Sequence, residues 1–214
     1  MDALMAAESS QTLDRGLRLL RLLADGHRGR TPTELAVELE LSRPAVYRLL
    51  TTLQKEGFVR RDGDGRVHLG FAVLVLARAV QPLLREGALP TLRRLAEEVG
   101  ATAHLTVAEG EDGLAVAVVE PSWTDMHVAY REGSRHPLSR GAAGLAILAL
   151  REGRGGYVAT EGQLQAGAHG VAAPVPGLPW LEASVGVVSF TSLDPAVVGP
   201  RVATAAEALS RSLA

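Results

Sequence analysis

TPTELAVELELSRPAVYRLLTTLQKEGFVRRDGDGRVHLG, residues 31–70, is the stretch whose reading decides the fold of the N-terminal third. Three helix-start signals stand in its first four residues: Thr31 as N-cap, Pro32 at the first helical position and Glu34 closing a capping box. Leu35, Ala36 and Leu39 give this short helix a buried side, and it ends near Glu40. Ser42 caps the next helix, with Leu41 and Val46 spaced as a hydrophobic staple and Pro44 in the first turn, where its missing N–H costs little. Val46, Leu49, Leu50 and Leu53 form an apolar stripe, leaving Arg43, Tyr47, Arg48, Thr51 and Thr52 on the other side. Two helices across a three- to four-residue turn, the second basic on its outer face, is the helix-turn-helix pattern. Gly57 ends the helix. Phe58–Arg61 and Arg66–Leu69 read as strands around the turn Asp62–Gly65, a basic β-hairpin or wing. A plain three-helix bundle is the competing reading of the helices, and half-buried packing the competing role for Tyr47.

Upstream, Thr12–Ala24 reads as a helix with Leu13, Gly16, Leu17, Leu20, Leu23 and Ala24 inward, stopped by Asp25-Gly26. Residues 1–10 are expected to be a flexible N-terminus, with no basic n-region or apolar run of a signal peptide. The net charge of −2 hides an asymmetry. Residues 12–70 carry three more basic than acidic side chains, and residues 71–214 three more acidic than basic. A local basic face on an acidic protein fits a nucleic-acid partner. Arg43, Tyr47, Arg48 and Thr51 would then meet base edges in the major groove. Thr31, Thr33, Ser42, Thr52, Arg60, Arg61 and Arg66 would complete the contact surface, the threonines at 31 and 33 and the wing arginines on phosphates.

Phe71–Gln81 is apolar nearly all round, interrupted by Arg78. Such a helix buries its surface best against a second copy, through Phe71, Leu74, Val75 and Arg78; packing on its own C-terminal half is the alternative. Pro82 and Gly87–Pro90 mark a joint, so the division expected is a winged helix-turn-helix over 11–70, a linker and dimerisation helix over 71–88, and a second domain over 89–214. In the second domain Pro90–Val99 reads as a helix stopped by Gly100. Strands are expected at 101–109, 114–120, 127–131, 156–160, 168–175 and 183–190, a helix at 141–150, and a C-terminal helical region from Pro195, restarted at Pro200 and ending at Leu213. The class is α+β with a mostly antiparallel sheet of about six strands.

On the first of these strands Thr102, His104 and Thr106 share one face. His104 and Thr106, with Tyr130, are candidates for a ligand pocket, against a half-exposed face or a subunit contact. Ser139, Gly141, Ala142 and Ala143 lead into the 141–150 helix, whose N–H groups and dipole suit a carboxylate or other polar group; tight Gly/Ala packing explains the same residues without a ligand. No catalytic residue, cofactor or metal is expected. Cysteine is absent, excluding disulfides, thiolate zinc sites and a Cys nucleophile. There is no P-loop, no GxGxxG after a strand and no GxSxG. The six histidines lack metal-ligand spacing, although His104, His127 and Glu161 could meet in space.

Taken together, TLDRGLRLLRLLADG (12–26), the 31–70 stretch, REGSRHPLSRGAAGLAILA (131–149), GYVATEGQLQAGAHGVAAPV (156–175) and EASVGVVSF (182–190) resemble the IclR family of bacterial transcription regulators in order and spacing. The resemblance implies a winged helix-turn-helix joined to a GAF-like effector domain. It also implies dimers or dimers of dimers, near-palindromic double-stranded DNA operators and a small-molecule effector; the missing signal-peptide pattern and the shortness of the apolar stretches imply a cytoplasmic protein away from membranes. Between Leu150 and Gly156 this chain has only Arg151-Glu152-Gly153-Arg154-Gly155, where the family has extra helical segments over the ligand region. Gly186 and Val188 stand where some carboxylate-binding members are polar, which implies a more apolar or larger effector. Two functions follow: a regulator gated by an effector, or a constitutive DNA-binding protein whose C-terminal domain only dimerises.

Overall fold

The computed structural model describes residues 10–24, 28–124, 128 and 130–214, without the side chains of 80–85. Asp25, Gly26, His127 and residues 1–9, on which the expected helix stop, metal candidate and flexible N-terminus fall, lie outside the described residues. The chain divides between Val80 and Gln81 into two compact units.

In the first unit, α1 (Gln11–Ala24), α2 (Pro32–Glu38) and α3 (Arg43–Lys55) precede a two-stranded antiparallel hairpin, β1 (Val59–Arg61) and β2 (Val67–Leu69). The caps form as read: Thr31 and Glu34 make both halves of a capping box, and Ser42 accepts from the Ala45 N–H. Leu19, Leu23, Leu35, Leu39, Val46, Leu50, Val59 and Val67 form one core, with Leu41 packed against it. The inward face of α1 differs from expectation. Gly16, Leu19 and Leu23 are buried, while Leu13, Leu17 and Ala24 are exposed. So many leucines in one helix offer several stripes at three- and four-residue spacing, and contact with the α3 core selects one of them. The wing is not a free hairpin. Arg30 pairs with Val67 through two backbone hydrogen bonds of 3.0 and 2.7 Å, adding a rung beside β2.

Helix α4 (Ala72–Pro82) passes into a π-helical segment, Leu83–Ala88, and then α5 (Leu89–Val99). The helical path therefore does not stop at Pro82 or Gly87. Gly100 ends α5 in the left-handed region at φ 70°, which favours glycine.

The second unit is built on a six-stranded antiparallel sheet in the order β5-β4-β3-β8-β7-β6. Its strands are β3 (Thr102–Glu109), β4 (Asp112–Val119), β5 (Arg135–Pro137), β6 (Val158–Glu161), β7 (His169–Val175) and β8 (Ala183–Ser189). Alternation sorts the sheet into two faces. Ala103, Leu105, Val171, Ala173, Val185 and Val187 pack with α5 and α7 (Pro195–Leu213). The opposite face meets α6 (Gly141–Arg151) through Ala142, Ala143, Ala146 and Ala172.

Three expectations need correction. The third strand is Arg135–Pro137, paired with Asp112–Leu114. Val128, Tyr130 and Arg131 are irregular instead, because the chain turns at Gly133 (φ 88°), whose N–H bonds to Ala115 O. The β3–β4 turn is only Gly110-Glu111, with Asp112 and Gly113 already in strand. Helix α7 runs through Pro200 rather than restarting there; so near the helix start only the Ala196 carbonyl loses its partner.

Leu50 is 1% exposed at the centre of the first core. Leu50→Ala is expected to destabilise the N-terminal unit by about 2–4 kcal/mol, read as a lower urea midpoint for that unit with the β-sheet unit unaffected.

Candidate nucleic-acid interface and ligand cavity

Helix α3 turns Val46 and Leu50 inward. At about 100° per residue, Pro44, Arg48, Thr51 and Lys55 stand opposite that buried line, flanked by Tyr47 on one side and Thr52 on the other, while Arg43 in the first turn lies nearer the buried line. All of these are exposed, Tyr47 at 48%. Lys55 was not among the sequence candidates; the helical projection alone finds it. Among the described residues Arg43, Arg48 and Lys55 form no ion pair. Arg48 and Thr52 line a shallow groove with Thr12 and Arg15 of α1. Thr51 and Thr52 donate their hydroxyls to the Tyr47 and Arg48 carbonyls, which holds their rotamers.

The wing arginines separate into two kinds. Arg60 and Arg61 are exposed, each guanidinium over an aromatic ring: Phe71 at 6.0 Å and Tyr47 at 5.6 Å. Arg66 instead donates to Gly29 O at 3.1 Å and faces Glu34 at 3.4 Å. Glu34 also accepts the Thr31 N–H at 2.6 Å, and that backbone bond is the main cause holding its carboxyl below the usual range. Asp62 does the same at the wing tip. It accepts from the Asp64 and Arg66 N–H groups and meets His68 Nε2 at 2.7 Å, and the His68 bond chiefly lowers its pKa. Thr31 and Thr33 sit at the start of α2, Thr33 exposed.

In the second unit a cavity of about 70 Å³ opens between the α6 face of the sheet and the chain around it. It brings together His104, Tyr130, Gly141, Ala142, Ala143 and Val188 from the sequence candidates. Thr106 is fully buried behind them, 3.2 Å from His104 Nδ1, and Gly186 pairs with His104 across the strands. A Cβ on Gly186 would lie 2.8 Å from Ala172 Cβ and 3.0 Å from His104 Cε1, so glycine lets the imidazole sit there. Ser139 is exposed and stands apart from the lining. Sequence reading missed His136, Val128, Thr160 and the 163–165 loop, which complete the wall. Burial of His104 and Thr106 removes the half-exposed-face reading.

The polar side of this cavity is a chain of ring groups. The Tyr130 ring lies 4.9 Å from His104, and its hydroxyl is 3.2 Å from His136 Nε2. His136 Nδ1 is 3.3 Å from Pro137 O. A carbonyl only accepts, so Nδ1 carries a proton. Burial raises the Tyr130 pKa, partly offset by a hydrogen bond with Thr106. Burial, reinforced by the nearby His136, pushes the His104 pKa down from 6.5 to about 3. Among the described residues no group of three His, Asp or Glu side chains could hold a metal, and no helix is long and apolar enough to cross a membrane.

His104 titrates near 6.5 in the unfolded chain but only near 3 in the fold. The folded state then binds fewer protons, so its stability is complete above 6.5 and falls as the pH drops from 6.5 towards 3. NMR is expected to show one imidazole that stays neutral through pH 5, and His104→Gln should flatten the acid side of the stability profile.

Family models match both units. The IclR helix-turn-helix domain matches residues 12–63, and the C-terminal domain of the bacterial transcriptional regulator IclR matches residues 79–175. The transcriptional repressor IclR of Escherichia coli (strain K12) is 33% identical over 143 residues, 65% of this chain and 52% of its own length. The chain spans about half the length of the curated relatives it matches. An IclR transcriptional regulator from Alicyclobacillus acidocaldarius shares the fold with a TM-score of 0.80 at 24% identity, over 96% of this chain and 100% of that one. An IclR homologue from Microbacterium hydrocarbonoxydans, crystallised with 4-hydroxybenzoate, gives 0.78 at 22% identity, over 94% and 98%. With both parts of one family's architecture matched in order along most of its length, the chain belongs to the IclR family.

Proposed function

We propose that the protein is a cytoplasmic, homodimeric DNA-binding transcription regulator, and that a small effector in the C-terminal cavity alters its affinity for an operator. The observation that carries this reading is the outer face of α3: exposed, cationic and free of ion pairs, on a helix anchored from behind by Val46 and Leu50. Arg43, Tyr47, Arg48 and Thr51 read base edges in the major groove, with arginine on guanine. Lys55, Thr31, Thr33, Ser42, Thr52, Arg60 and Arg61 contact phosphates, and Arg66 adds its remaining donors while bracing the wing. A duplex needs no lone carboxylates nearby, and Glu34 and Asp62 are already engaged.

Dimerisation through α4 is supported by its surface. Phe71, Leu74, Val75 and Leu76 are exposed, Leu74 at 60%, together with Arg78. Two α3 helices related by a two-fold axis would read a near-palindromic site. The effector reading rests on the cavity bounded by His104, Tyr130 and His136, and on the relative that holds 4-hydroxybenzoate. The small cavity volume favours a second reading, a constitutive regulator whose C-terminal unit only dimerises. Footprinting on the DNA flanking its own gene, with and without a metabolite panel, separates the two; no metabolite effect supports the second.

Arg48→Ala should cost about 1–3 kcal/mol of specific binding and relax preference at one base position. Arg61→Ala should weaken all sequences alike and reduce the salt slope by about one. Leu74→Glu should convert the dimer to a monomer in sedimentation and weaken binding to a two-half-site operator far more than to a single half-site.

A further inference from the structure

Helix α6 begins without a cap of its own. Its N-cap residue Arg140 makes no side-chain hydrogen bond to the first turn, whereas Thr31, Ser42 and Asp194 cap theirs. The missing acceptor comes from a distant loop. Gln163 places Oε1 2.9 Å from the Gly141 nitrogen and accepts its N–H, and the Arg140 guanidinium donates to the Gln163 carbonyl. Leu164 closes over the same spot: a Cβ on Gly141 would lie 2.8 Å from Leu164 Cγ. Gln163, Leu164 and Gln165 are exposed to solvent on their outer side and wall the cavity on their inner side. A neutral carboxamide thus occupies a helix start whose dipole favours an anion.

The inner end of the sheet face has the opposite defect. Thr102 is 2% exposed, and its hydroxyl has no partner among the described residues. Strand alternation places it on the face of His104, directly across from Val188, and both of those line the cavity. A buried hydroxyl left unpaired is costly and rare, so it marks a place where a polar group is missing. We propose that the 162–167 loop is a tethered plug: the Gln163 carboxamide stands in for the acceptor head of the effector, and the effector displaces it to occupy the cavity. This rests on the effector reading above and adds its regulation.

The exchange is favourable because an exposed neutral hydrogen bond gives way to a charge-assisted one. While the plug is seated, apparent affinity falls by the fraction of molecules that are open. The test uses the full chain as wild type, Gln163→Ala, Gln163→Glu and Glu161→Ala. Each is titrated calorimetrically with acetate, benzoate and 4-hydroxybenzoate, and the Gly141 amide is followed by NMR. Gln163→Ala should bind its best probe about five-fold tighter, the factor that one lost competing hydrogen bond represents. Gln163→Glu should bind it several-fold more weakly, since its carboxylate suits the helix start and Arg140 better. Glu161→Ala, changed at an exposed position beside the same loop but outside the cavity lining, should match wild type. The Gly141 amide should shift in Gln163→Ala alone among the two alanine variants. Equal or weaker probe binding by Gln163→Ala overturns the plug while leaving an effector site in place. No binding of any probe by any form, the unplugged one included, overturns both.

Discussion

Helix α6 lies against the sheet on a surface of alanine and glycine, and that close approach sets where everything else in the C-terminal unit can go. Ala142, Ala143 and Ala146 pack on Ala172. A Cβ on Gly144 would run into the Leu138 backbone, so the turn entering the helix is pressed onto its second residue pair. Ser184 donates its hydroxyl to Ala143 O at 2.9 Å and fixes the spacing. By the start of the helix, space opens where the sheet face changes from small residues to His104, flanked by Tyr130 and His136. The cavity is therefore a consequence of side-chain size along the strands. His104 itself is buried, and that burial keeps it uncharged.

The N-terminal unit solves a comparable problem with charge. A 13-residue helix is marginal alone, so α3 depends on the core around Leu19, Leu35 and Leu50 for its existence. Its arginines are left out of that arrangement. The carboxylates that could neutralise the basic surface are instead used for backbone work. Glu34 caps α2 and braces Arg66, Asp62 closes the wing turn, and Glu38 holds Arg30 beside the hairpin at 3.1 Å. None of these three carboxylates pairs with Arg43, Arg48, Arg60 or Arg61. Local net charge understates the effect, because it counts engaged and free charges alike.

What could be read in the sequence follows how local its cause was. The capping box at Thr31 and Glu34, the Ser42 cap, the glycine at 100 and the alternation of Thr102, His104 and Thr106 depend on neighbours within a few residues, and all appear. The face of α1 could not be read reliably, since Leu13, Leu17 and Leu19 are chemically alike and only contact with α3 distinguishes them. The strand expected at 127–131 has β-like residues, yet Gly133 bends the chain and pairing passes to Arg135–Pro137. His136 and Gln163 were invisible for a different reason: each gains its role from a residue it meets only in space. His136 faces Tyr130 across a turn, and Gln163 meets Gly141 across 22 positions. The 163–165 loop lies over the cavity, a cover that no spacing rule reports.

A cavity of about 70 Å³ also limits how gating can work. That space corresponds to roughly five water-sized spheres, and the best small ligands gain at most about 1.5 kcal/mol per heavy atom. A hundred-fold change in operator affinity would take about 2.7 kcal/mol as a difference between two states. A ligand that merely filled a rigid hole would bind both states alike and shift nothing. The differential part has to come from something the ligand moves. On the α6 side of the cavity the wall consists of packed helix and sheet, which resist small displacements, whereas the Gln163 side is an exposed loop held by few contacts. If an effector acts through this cavity, the loop is where its binding free energy can be converted into a change of state.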